Sequence, residues 1–142
     1  MTTKELEMQL ALGSLSYDMK LKLAKNPNTP KKILTILATD KDWTVRHSVA
    51  FNPNTPKKIL AMLSKNNDWS VRRGAAENPS TPVEVLTILS TDKDWSVRSN
   101  VAMNPNTPKK VLTALSTDEN WNVRNSVAKN LKGTVINDYR RT

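Results

Sequence analysis

The sequence predicts an all-α chain built as a one-dimensional stack of short helix pairs. Three observations predict it. Trp43, Trp69, Trp95 and Trp121 stand 26 residues apart, as do Arg46, Arg72, Arg98 and Arg124. All eight prolines fall in one frame, as Pro27/Pro30, Pro53/Pro56, Pro79/Pro82 and Pro105/Pro108. Within each period the apolar residues recur at helical spacing, and no segment alternates as a strand would. A fixed period of this length marks a repeat architecture, in which each unit buries its apolar face against its neighbours.

Taken in order, residues 1–25 form a degenerate first unit. A shift of 26 places Tyr17 at the Trp position, Lys20 at the Arg position and Ala24 at the Ala position. Four full repeats follow at 26–51, 52–77, 78–103 and 104–129, without insertion or deletion. In the first of them, Thr29 is expected to cap a helix that starts at Pro30, where a missing N–H costs nothing. That helix carries Ile33, Leu34, Ile36 and Leu37 and runs to about Thr39. Asp42 then caps a second helix from Trp43 to about Phe51, with Val45 and Val49 four residues apart. Asn52-Pro53 ends it, because a residue before proline is pushed out of the α region. Residues 130–142 form a C-terminal cap: Asn130 keeps the frame, Leu131 replaces proline, and Lys132 to Thr142 supply one last short helix. Helices of about ten residues are marginal alone in water, so the pairs must stack into an α-solenoid.

The N-P-N-T-P turn, the L-x-x-L helix and the D-W-x-V-R-x-x-V-A segment together resemble the leucine-rich repeat variant family, relatives of the HEAT repeats. The resemblance covers residues 26–129 and implies a right-handed superhelix of α-helices alternating with shorter, partly 3₁₀ helices. It implies little about activity. Some relatives carry an iron-sulfur cluster on an N-terminal cysteine cluster; this chain has no cysteine, so no cofactor is expected. The pairs Asp42/Arg46, Asp68/Arg72 and Asp94/Arg98 are similar to the Asp and Arg ladder that ties HEAT repeats together, with Asn120 standing before Arg124.

Four aligned copies separate positions that stacking constrains from positions it leaves free. On the second helix Trp43, Val45, Arg46, Val49 and Ala50 recur in nearly every copy. Positions 44, 47, 48 and 51 vary and fall within roughly a 100° sector. They are expected to form one open face that takes a protein or peptide through His47, Phe51, Arg73, Glu77, Ser99, Met103, Asn125 and Lys129. Phe51 and Met103 are its apolar anchors, in a slot that elsewhere accepts Glu or Lys. The arginine row is expected to bridge repeats rather than bind phosphate. The tryptophans are expected to form a packed ladder with locally satisfied N–H groups, the alternative being an exposed aromatic row.

The chain carries 22 Lys and Arg against 13 Asp and Glu, a net charge of +9 spread over all units but the third repeat. The alternative reading is therefore a nucleic-acid-binding module using Lys31, Lys32, Lys57, Lys58, Lys109 and Lys110 on the first helices. No catalytic constellation is found: His47 has no counterpart in the other repeats, and no phosphate loop or metal-ligand spacing occurs. The D-W-x-V-R segment superficially offers the Trp, Asp and Arg of HEAT-like DNA glycosylases, but repeated in every unit it reads as scaffold. No apolar run approaches the roughly 18 residues of a membrane span. Without a signal-peptide core at the N-terminus, a cytoplasmic, non-enzymatic monomer is expected.

Overall fold

A computed structural model describes residues 1–141 and, within the last helix, the side chains up to residue 133. The fold is all-α, with no strand among the described residues. Helices α1 (Thr3–Ala11) and α2 (Tyr17–Lys25) precede four repeats of a short and a longer helix. These are α3 (Lys31–Leu37) with α4 (Trp43–Phe51), α5 (Lys57–Leu63) with α6 (Trp69–Glu77), α7 (Val83–Leu89) with α8 (Trp95–Met103), and α9 (Lys109–Leu115) with α10 (Trp121–Arg141).

Seven-residue helices such as α3 are too short to stand alone and are held by what they bury. Ile33, Leu34 and Leu37 of α3 are fully enclosed, as are Val45, Val49 and Ala50 of α4. One continuous apolar core runs from Leu6 to Val127 through every unit. Neighbouring second helices pack directly on each other, α2 on α4, α4 on α6, α6 on α8 and α8 on α10, whereas consecutive first helices meet far less. A stack that is tight in one layer and splayed in the other curves, so the second helices line its concave side.

The local chemistry of the N-P-N-T-P turn differs from expectation. Pro30 has a non-helical ψ of 144° and is itself the N-cap, so the helix starts at Lys31 and ends at Leu37 rather than Thr39. The Thr29 hydroxyl instead donates to the Leu23 carbonyl at 2.6 Å. Thr55, Thr81 and Thr107 do the same to Val49, Ala75 and Val101. These bonds add a hydroxyl donor at the end of each preceding second helix, where the Leu23, Val49 and Val101 carbonyls also accept from the N–H of Asn26, Asn52 and Asn104. The shorter helices are α-helical rather than 3₁₀: Leu34 N–H reaches the Pro30 carbonyl at 3.1 Å and Ala38 N–H the Leu34 carbonyl at 2.9 Å.

The asparagine before each proline does more than end a helix. Asn78, wholly enclosed, donates from Nδ2 to the carbonyls of Ala50 and Asn52 in the previous repeat, at 2.8 and 2.9 Å. Its Oδ1 accepts from Ser80 N–H. Asn52 and Asn104 repeat this arrangement, and Asn130 makes the same two donations. A ladder of buried amides therefore threads the turns and satisfies backbone groups that water cannot reach.

A second ladder is ionic. Arg72 Nε lies 2.8 Å from Asp92 Oδ2, and Arg98 Nε lies 2.8 Å from Asp118 Oδ2, both pairs largely buried. The acid is thus the turn aspartate of the next repeat, not the cap aspartate four residues earlier that the HEAT comparison implied. The caps Asp42, Asp68 and Asp94 hold the N–H groups of Thr44, Ser70 and Ser96. Lys20 takes the arginine's part at the N-terminal end, 2.8 Å from Asp40. At the joint between the first and second repeats the turn residue is Asn66, and Arg46 Nε is buried without a partner.

The C-terminal end also departs from expectation. With Leu131 in place of proline nothing stops the second helix of the fourth repeat, so α10 continues to Arg141 as one 21-residue helix instead of yielding a separate short one. Thr142 lies outside the described residues.

Candidate functional site

On a helix of 3.6 residues per turn, positions 43, 47 and 51 form one stripe, each four residues from the next. Three such stripes converge on the concave side: Tyr17, Leu21 and Lys25 of α2; Trp43, His47 and Phe51 of α4; and Trp69 with Arg73 of α6. Pro27 and Pro53, from the turns after α2 and α4, help close the ends of a groove of about 1110 Å³ lined by these residues.

The tryptophans are not a packed ladder. Trp43, Trp69, Trp95 and Trp121 are 48, 46, 46 and 63% exposed. As first residues of their helices they sit beyond the zone where Val45, Val49 and Ala50 meet the neighbouring units. Nor are their N–H groups satisfied locally: among the described residues none of the indoles meets a protein acceptor. Their invariance reflects the repeat, not burial, and the aromatic row belongs to the open face.

Of the residues expected on that face, His47, Phe51 and Arg73 line the groove. Phe51 and Met103 are 50 and 47% exposed. His47 donates from Nδ1 to the Ser70 carbonyl at 2.6 Å, a bond from α4 to α6 that fixes the ring. Glu77 is half-buried and paired with Arg73 at 3.0 Å. Ser99, half-buried, bonds to the Ser126 hydroxyl at 2.7 Å. Met103, Asn125 and Lys129 continue the stripe along α8 and α10, outside the groove lining.

Two of the four variable positions are not free. Ser48, Gly74 and Ser126 are buried between adjacent second helices. A Cβ on Gly74 would meet the Ala50 Cβ at 2.9 Å and the His47 carbonyl at 3.0 Å, so α4 and α6 approach as closely as glycine allows. Position 44 is half-covered because Thr44 bonds to Asp42 and to the Tyr17 hydroxyl at 2.8 Å, and its counterpart Ser70 is buried. In these copies small residues fit a narrow helix contact, whereas Asn122 in the fourth repeat is exposed.

Electrostatically, Asp68 lines the groove, and the cap aspartates of α4, α6 and α8 are all stabilised as carboxylates. The Thr44 hydroxyl, with the Thr44 N–H, holds Asp42 below the usual carboxylate range. The Ser70 hydroxyl does the same for Asp68, and the Ser96 hydroxyl for Asp94, against the opposing effect of burial. The lysines Lys31, Lys32, Lys57, Lys58, Lys109 and Lys110 are exposed on the first helices, in the other layer. No group of three or more metal-ligating side chains occurs among the described residues, and no helix among them is long and apolar enough to cross a membrane.

Residues 69–94, one period counted from Trp69, match the family model described as leucine rich repeat variant. The repeat at 69–94 is similar to the leucine rich repeat variant. No curated protein matches the chain. The matched stretch spans the second helix α6, the asparagine turn and the first helix α7, and its frame carries across the other copies without a gap. The repeats build a helical scaffold, and the groove is the concave surface of its first three second helices.

Proposed function

We propose that the protein is a non-enzymatic scaffold whose concave groove holds a segment of a partner protein. The observation that supports this most is the convergence of four half-exposed aromatic side chains, Tyr17, Trp43, Phe51 and Trp69, in one groove on a rigid stack. Aromatic anchors in a pocket dominate protein recognition, and a stack held by buried amide and ion-pair ladders loses little freedom on binding. The stripe through Glu77, Ser99, Met103, Asn125 and Lys129 extends the same face and gives a longer partner further contacts. Residues 1–25 and 130–142 serve as the terminal caps of the stack.

The alternative, nucleic-acid binding through the lysine pairs, places the contact on the opposite layer. It requires an affinity that falls by about 0.9 log units per phosphate neutralised for each tenfold rise in salt. The groove reading is tested by comparing wild type with Phe51→Asp and Trp69→Ala in capture of partner polypeptide. Both side chains are half-exposed, so both variants are expected to fold, which far-UV circular dichroism checks. Retention is expected to fall by roughly tenfold or more. Unchanged retention by both folded variants removes the groove as the site.

A further inference from the structure

Resting on the groove reading, we infer that the segment it takes is a proline-rich chain in the polyproline II conformation, docked with one turn per repeat. Period is the first reason. The aromatic row presents one ring per unit, and directly packed second helices stand about 8 to 10 Å apart, with α4 and α6 in close contact at Gly74. Polyproline II advances about 3.1 Å per residue with three residues per turn, so equivalent side chains recur every ~9.3 Å. A helical turn of about 5.4 Å and a strand dipeptide of about 6.8 Å both fall out of step with the row.

The second reason is the balance of donors and acceptors. The groove's acceptors are mostly engaged within the protein. Asp68 Oδ1 accepts from the Ser70 N–H and hydroxyl, the Ser70 carbonyl from His47, and the Thr44 carbonyl from Ser48. Two of its donors are free: among the described residues the indole N–H groups of Trp43 and Trp69 have no protein partner. A proline-rich chain is the complementary ligand, with carbonyls that make no internal bonds and few N–H groups to satisfy. Its pyrrolidine rings stack on the aromatic faces, the mode in which aromatic-lined grooves recognise such chains. Lys25 lines the same groove, and with the chain's net charge of +9 it favours an acidic residue within the segment. A polyanionic strand stacking its bases on the same rings fits less well, because its phosphates would run beside Asp68 in the groove lining.

The full chain is titrated with a fluorescein-labelled peptide of three Pro-Pro-Glu triplets, with the Gly-Gly-Glu peptide of equal length and charge, and with a nine-nucleotide oligouridine. In parallel, a random peptide library is selected on wild type and counter-selected on Trp69→Ala. Binding of the proline peptide, weakened roughly tenfold or more by Trp43→Ala, by Trp69→Ala and by glycine for proline, is the expected result. Equal affinity for the glycine peptide overturns the inference, since charge alone would then explain binding. Preference for oligouridine overturns it in favour of a single-stranded nucleic acid. Selected peptides that depend on Trp69 but lack proline overturn the ligand class and leave the groove standing. A library yielding no Trp69-dependent peptide overturns both.

Discussion

Arg72 and Arg98 each donate to a loop carbonyl as well as to an acid. Arg72 Nη1 reaches the Asn66 carbonyl at 2.8 Å, and Arg98 Nη1 the Asp92 carbonyl at 2.8 Å. Arg46 keeps that bond, to the Asp40 carbonyl at 2.7 Å, but its Nε faces no acceptor because Asn66 stands where the other joints have Asp92 and Asp118. Asn66 Oδ1 accepts from Asp68 N–H as Asp92 Oδ1 does from Asp94 N–H, so the two turns share a geometry and differ in one atom's charge. Asn66→Asp is therefore expected to raise stability by about 1 to 2 kcal/mol, the worth of a hydrogen bond to a charged group. Asp92→Asn is expected to lower it by about 3 kcal/mol, because it strands the buried Arg72 guanidinium. Urea denaturation of both variants beside wild type measures this. A destabilised Asn66→Asp protein would show that the joint has no room for the second charge.

Among the elements, the second helices carry the most information. α4, α6 and α8 have nine residues each and stop at Asn-Pro, whereas α10 meets Asn130-Leu131 and runs on. Leu131→Pro is expected to end α10 near Asn130, removing the helical signal of its last part while leaving the repeats folded. Far-UV circular dichroism should show the loss, with the main unfolding transition retained. An undiminished helical signal would mean that something other than the missing proline sustains the extension.

For the whole molecule, stability is a sum over units and joints, so a repeated charge acts as many times as it recurs. Asp42, Asp68 and Asp94 are held below the ordinary carboxylate range, first by the hydroxyls of Thr44, Ser70 and Ser96. At Asp118 burial pushes upward, but the Arg98 guanidinium and the Asn120 N–H outweigh it and the net direction is down. A carboxylate whose native value is lowered binds fewer protons folded than unfolded. Its stabilisation is complete above the unfolded value of about 3.9 and is lost as pH falls through the lower native value. The thermal midpoint is expected to stay level from about pH 7 to 5 and to drop below about pH 4. A decline already between pH 7 and 6, where these carboxylates do not titrate, would assign the acid sensitivity elsewhere.

Much of this was legible in the chain itself, because a period of 26 with an Asp cap, a Pro break and a helical apolar arc specifies local structure through neighbours only a few residues apart. The helix pairs, the second-helix bounds at Trp43 and Phe51, and the open position of Phe51 and Met103 all follow from that. Burial was less legible, since it depends on which side the next unit covers. Invariance made the tryptophans look internal and variation made Ser48 look external, and packing reversed both. The partners of Asn78 and Arg72 lie 20 to 28 residues away. Local spacing pointed instead to the nearer Asp68, although Lys20, Asp40 and Asp92 share the signal that could have found the true pairing. Sequence alone determined that identical units stack, because short amphipathic helices have no other way to bury their apolar arc. Only the tertiary structure decided that the second helices close ranks and leave their aromatic ends on the concave side, because curvature depends on how unequally the two layers pack.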